Sequence, residues 1–96
     1  MGLFSKKLTP LTYKEVIHGL TLMGFTMRPK TGTSHEKWFK ETDKGRFSVT
    51  VDKPQAPFSR FLILSMAKQA GVDARKFHAL CRGECTLKEA GLKPAE

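Results

Sequence analysis

From residue 12 to residue 23, apolar side chains recur every three or four positions, so that Tyr13, Val16, Ile17, Leu20 and Met23 share one face of a predicted helix. Thr12 is placed to cap its start with Glu15 reaching back, Leu11 and Val16 form a staple across that cap, and Gly24 ends the helix. Past Gly24 the period changes. Phe25 and Met27 alternate with polar residues up to Pro29, which suits an edge strand or its end. Thr31-Gly32-Thr33 reads as a turn, residues 34–40 as a second strand, and residues 42–45 as another turn with Lys44-Gly45 at its tip. Residues 46–51 alternate most regularly, with Phe47, Val49 and Val51 on one side and Arg46, Ser48 and Thr50 on the other. Three strands joined by short turns predict an antiparallel meander.

After a break at residues 54–57, Ser59 caps a second helix stapled by Phe58 and Ile63. Its inner stripe is Leu62, Ile63, Met66, Ala67 and Ala70, and Gly71 closes it. Asp73 starts a short third helix to about residue 82, with Phe77, Leu80 and Cys81 inward and Gly83 at its end. Residues 84–96 are weakly patterned, partly helical or frayed. The order predicts an α+β fold: helix, three-stranded antiparallel sheet, helix, and a short extra C-terminal helix. One sheet face and the two longer helices share a core, which leaves the other sheet face for solvent or ligand. Residues 1–96 read as a single domain with its core at about 12–82, between a flexible basic lead-in and a C-terminal tail.

Charge adds the first functional information. Seventeen Lys and Arg against nine Asp and Glu give +8, and the isoelectric point is near 9.8. That excess suits a polyanion, nucleic acid ahead of a membrane surface. No stretch approaches the length of apolar residues that a membrane span requires, and Met-Gly-Leu-Phe-Ser-Lys has Lys6 where a myristoylation site needs Ser or Thr. A cytoplasmic protein is expected, and two cysteines imply no disulfide framework. His78, Cys81 and Cys85 have a spacing that resembles part of a zinc site, but a fourth ligand is missing and Cys81 falls on an apolar stripe. Buried thiols are the expectation, with no metal and no cofactor.

Three histidines are available for chemistry. His18 lies off the apolar stripe of its helix and is expected to be exposed, as is His78. His35 differs, because it follows a Gly-Thr-Ser turn at the start of a strand. Alternation places it on one face with Lys37 and Phe39, opposite Glu36 and Trp38. If Trp38 packs inward, His35 and Lys37 look outward together. An imidazole can take a proton from a ribose 2′-hydroxyl or return one to a leaving oxygen, and a neighbouring ammonium can hold the phosphate. Arg28, Lys30, Lys37, Lys40, Lys44 and Arg46 all fall in the strand region, where pairing would gather several into a basic sheet face. The bland alternatives are a surface histidine without a role and a lysine-decorated edge that discourages aggregation. Trp38 and Phe39 can stack on bases, although core packing is expected for at least one.

Four stretches together resemble the HicA-type bacterial toxins. They are the helix ending in Gly24-Phe25, the segment Gly32-Thr33-Ser34-His35-Glu36-Lys37-Trp38, the strand Val49-Thr50-Val51, and the second helix running into Gln69-Ala70-Gly71-Val72 and then Phe77. The second stretch is the specific one, similar to the family's Gly-Ser-His signature. The resemblance covers roughly residues 12–80. It implies a fold similar to a double-stranded-RNA-binding domain. It also implies an endoribonuclease that halts translation by cutting mRNA, and a HicB-type antitoxin protein as partner. The family's active histidine falls on His35, with Gly32 and Ser34 as the turn that presents it. RNA-binding positions are expected at Lys37, Arg28, Lys30 and Arg46. Thr33 separates Gly32 from Ser34, where many members have Gly directly before Ser. Asp52-Lys53-Pro54-Gln55 stands where many members have Pro-x-His, leaving His35 to work more alone or with Lys37. Two other readings remain open: a non-catalytic RNA-binding module, and an interaction domain for an acidic protein.

Overall fold

A computed structural model of the chain describes residues 7–28 and 35–92. Helix α1 (Tyr13–Leu22) leads into strands β1 (Thr26–Met27), β2 (His35–Thr42) and β3 (Gly45–Asp52). A 3-10 turn at Lys53–Gln55, helix α2 (Arg60–Ala70) and helix α3 (Ala74–Cys81) follow. This is the α+β order that periodicity predicts.

Local chemistry sets the helix ends. The Thr12 hydroxyl accepts from the Glu15 N–H at 3.1 Å, and the Glu15 carboxylate accepts from the Thr12 N–H at 2.8 Å, completing the capping box. Beyond α1, the Gly24 N–H donates to the Thr21 carbonyl and the Phe25 N–H to the Leu20 carbonyl. That pairing needs a left-handed residue at position 24, where φ is +92°. Ser59 caps α2 through the Leu62 N–H, and the Asp73 carboxylate caps α3 through the N–H groups of Arg75 and Lys76.

The sheet has the order β1-β2-β3 and is antiparallel throughout. Between β2 and β3 the turn consists of Asp43 and Lys44, one position earlier than the expected Lys44-Gly45 tip, and Thr42 pairs with Gly45. The Thr42 hydroxyl accepts from the Lys44 N–H and donates to the Gly45 carbonyl, which ties the turn down. Trp38, Val49 and Val51 are buried on the face toward the helices. The outer N–H of Thr50 on β3 donates to the Gln69 side chain of α2 at 3.0 Å, which closes part of that edge.

Three sequence expectations need correction. The third helix is a full partner in the core: all of Phe77, His78, Ala79, Leu80 and Cys81 are buried, and α3 packs on both α1 and α2. The approach to α1 is close, because a Cβ added to Gly19 would sit 2.4 Å from the Cys81 Sγ. His78 is not exposed but 3% accessible. The chain before α1 covers it, and its Nε2–H donates to the Thr9 carbonyl at 2.9 Å. Packing likewise starts ahead of residue 12, with Leu11 buried and bridged to Phe58 by two backbone hydrogen bonds. Residues 86–92, expected to be partly helical or frayed, form a capped turn. Thr86 and Glu89 cap each other, while Cys85 and Ala90 are buried. His18 is exposed, as expected.

Candidate functional site

β2 carries the candidate residues because alternation divides it. Trp38 is buried and its indole N–H donates to the Glu36 carboxylate at 3.1 Å, so 36 and 38 lie on the helix side. His35, Lys37, Phe39 and Glu41 therefore occupy the outer face. Their cross-strand partners on β3 are Asp52, Thr50, Ser48 and Arg46.

His35 begins β2 and stands opposite Asp52, the last residue of β3. Its Nδ1 lies 3.6 Å from an Asp52 carboxylate oxygen, the side chains being 56% and 25% accessible. The distance is beyond that of a hydrogen bond. One row along, the Lys37 ammonium donates to the Thr50 hydroxyl at 2.6 Å, which fixes a positive charge beside the histidine. Arg28 continues the β1 ladder opposite Lys37, and its guanidinium lies 4.8 Å from the centroid of the Phe39 ring. From the other side the Arg46 guanidinium lies 5.1 Å from the same centroid. The structure thus brings His35, Lys37, Arg28 and Arg46 onto one face. Gly32, Ser34 and Lys30 lie outside the described residues. Lys40 is not part of this face, because it stands over Phe25 on the helix side, and Lys44 is at the hairpin turn.

Compared with protein-family models, curated proteins and solved structures, the chain matches none.

Asp52 is the functional candidate that residue reasoning misses. Its signal is the turn: counting outward from a two-residue Asp43-Lys44 turn brings 52 opposite 35, whereas a tip at Lys44-Gly45 brings Pro54 there. Behind the site, the Tyr13 hydroxyl donates to the Glu36 carboxylate, with contacts of 2.6 and 2.8 Å to its two oxygens, and Lys53 stands over the Tyr13 ring. Burial, then the Glu36 carboxylate, pushes the Tyr13 hydroxyl up to about 12 from its usual 10. The fold favours the neutral phenol, so this contribution is complete below pH 10 and is lost as pH rises toward 12. Tyr13→Phe is expected to destabilise the protein by about 1–2 kcal/mol at neutral pH and to flatten the alkaline loss of stability. Urea titrations at pH 7 and across the alkaline range check both effects. An unaltered alkaline limb would rule out Tyr13 as its source.

The cysteines face elsewhere. Cys81 packs against Gly19, Cys85 is buried, both are free thiols, and burial pushes both thiols up. Among the described residues no three His, Cys, Asp or Glu side chains form a metal-binding group. None of the helices among them is long and apolar enough to cross a membrane. An open pocket of about 310 Å³ lies by the hairpin turn, lined by Phe25, Phe47 and Leu87 among others. It lies at the far end of the strands from His35 and holds no histidine.

Proposed function

We propose that the protein is a ribonuclease that cuts mRNA at the outer sheet face, with His35 as general acid and base. The observation that carries this reading is the His35–Asp52 pair at the edge of a basic face, since a histidine without a role needs no carboxylate partner. Asp52 beside Nδ1 favours the proton there and leaves Nε2 as the base. Nε2 takes the proton of a ribose 2′-hydroxyl as that oxygen bonds to phosphorus. The same proton then passes to the oxygen that leaves when its bond to phosphorus breaks. Lys37, anchored by Thr50, stabilises the charge that builds on the phosphoryl oxygens. The resemblance of the segment around His35 to the HicA-type toxins supports the same reading. It extends the proposal to a toxin held in check by a HicB-type antitoxin in the cytoplasm.

Asp52→Asn tests the pairing. At this distance and exposure the carboxylate acts on the imidazole only modestly. Cleavage is expected to slow about fivefold to tenfold, with RNA affinity unchanged. Single-turnover cleavage beside equilibrium binding separates the two. Full activity in Asp52→Asn would remove the carboxylate from the mechanism. The alternative, a non-catalytic RNA-binding module, is favoured by the two arginines over Phe39, which are suited to binding rather than chemistry. It predicts salt-sensitive binding with intact RNA recovered.

A further inference from the structure

Arg28 follows directly on β1 and Arg46 lies in β3, on opposite sides of β2, yet both lean over the ring of Phe39 in the middle strand. The row containing the ring explains why they can. Phe39 pairs with Thr26 on one side and Ser48 on the other, so small polar neighbours leave its ring standing above the sheet. Arg28 reaches it from the row on the His35 side, and Arg46 from the row nearer the hairpin turn. The ring attracts each guanidinium and offsets part of their mutual repulsion. Glu41 is the acidic group at the cluster: its carboxylate accepts from the Arg46 Nε at 2.7 Å, which orients that guanidinium through one of its five donors.

Two planar cations held on one ring, at 4.8 and 5.1 Å from its centroid, carry the forked donors with which arginine recognises phosphate. Two rows of the same face, about 13 Å along the strand, separate Phe39 from His35, with Lys37 between them. We propose that Arg28 and Arg46, gathered on Phe39, jointly hold one backbone phosphate of the RNA about 13 Å along β2 from His35. The strand being cut then runs along β2, gripped at one end and cleaved at the other. Phe39 is a positioning residue in this scheme: it touches the arginines, and they touch the RNA.

This inference rests on RNA as the ligand, so its test uses the His35→Ala protein, in which cleavage is expected to be slowed and binding kept. Affinity for a single-stranded RNA oligomer is measured as a function of salt. Each phosphate that is no longer neutralised lowers the salt slope by about 0.7 on a single strand. If the arginines share one phosphate, adding both Arg28→Ala and Arg46→Ala is expected to lower the slope by one step of about 0.7, and adding either alone by less than that step. Phe39→Leu, which removes no charge, is expected to lower it by part of that step. A double variant whose slope falls by two full steps, about 1.4, would mean two independently held phosphates and overturn the shared site. An unchanged slope in all of them would overturn it too. No salt-dependent binding by the His35→Ala parent would overturn this inference together with the RNA reading.

Discussion

His35→Ala is expected to reduce RNA cleavage by roughly 10²- to 10⁴-fold, the range over which a positioned acid–base group contributes. The side chain is more than half exposed at the start of β2, so its removal is expected to alter stability by no more than about 0.5 kcal/mol. RNA affinity is expected to persist, because Lys37, Arg28 and Arg46 remain. Cleavage of labelled RNA in single turnover, with a melting curve on the same sample, reads both effects. Expression of the two proteins from a tightly regulated promoter should arrest growth and deplete transcripts with wild type alone. Undiminished cleavage by folded His35→Ala would reject the nuclease assignment of this histidine.

The largest effect on stability is expected at Gly19. Valine there would drive its Cβ into the Cys81 Sγ and toward the Cys81 backbone, whose Cα stands 3.0 Å from that position. Both helices are fixed by other buried side chains, so relief by separation is costly. A destabilisation of about 3 kcal/mol is expected, the upper end of the usual range for overpacking. That is a large share of the roughly 5–15 kcal/mol that a domain of this kind holds. Gly19→Ala should cost less, because alanine regains about 1 kcal/mol of helix propensity. Adding Cys81→Ala should recover part of the stability missing from Gly19→Ala, since it removes the Sγ that the new methyl meets. Urea titration of the three variants checks the set, and an unchanged midpoint in Gly19→Val would show that α1 and α3 are not held this tightly.

Much of the architecture is legible in the sequence because it is local. Thr12 with Glu15, Ser59 and Asp73 mark the helix starts by chemistry confined to one turn, and Val49 and Val51 mark the inward face of β3 by alternation. The outward placement of His35 and Lys37 follows from the same alternation once Trp38 is inside. What escapes such reading depends on distant chain. Asp52 meets His35 only if the turn is counted correctly, and a shift of one in its tip changes the partner. His78 is covered by a segment 69 residues away. Thr86 and Glu89 carry a visible capping box, but too few apolar residues follow to announce a helix. The meeting of Arg28 and Arg46 over Phe39 is a matter of side-chain conformation, which no spacing rule reaches.

The Asp43-Lys44 turn has an influence well beyond its size. Val49 and Val51 must stay inside, so β3 can slide past β2 only in steps of two residues, about 7 Å. No half-step is open to it. The distance between His35 and Asp52 is therefore digital, set by a turn about 23 Å away that touches neither residue. A lengthened turn would either loop out harmlessly or switch the pair off in one move. Variation in that turn should accordingly yield populations of working and silent molecules, rather than a graded series of weaker ones.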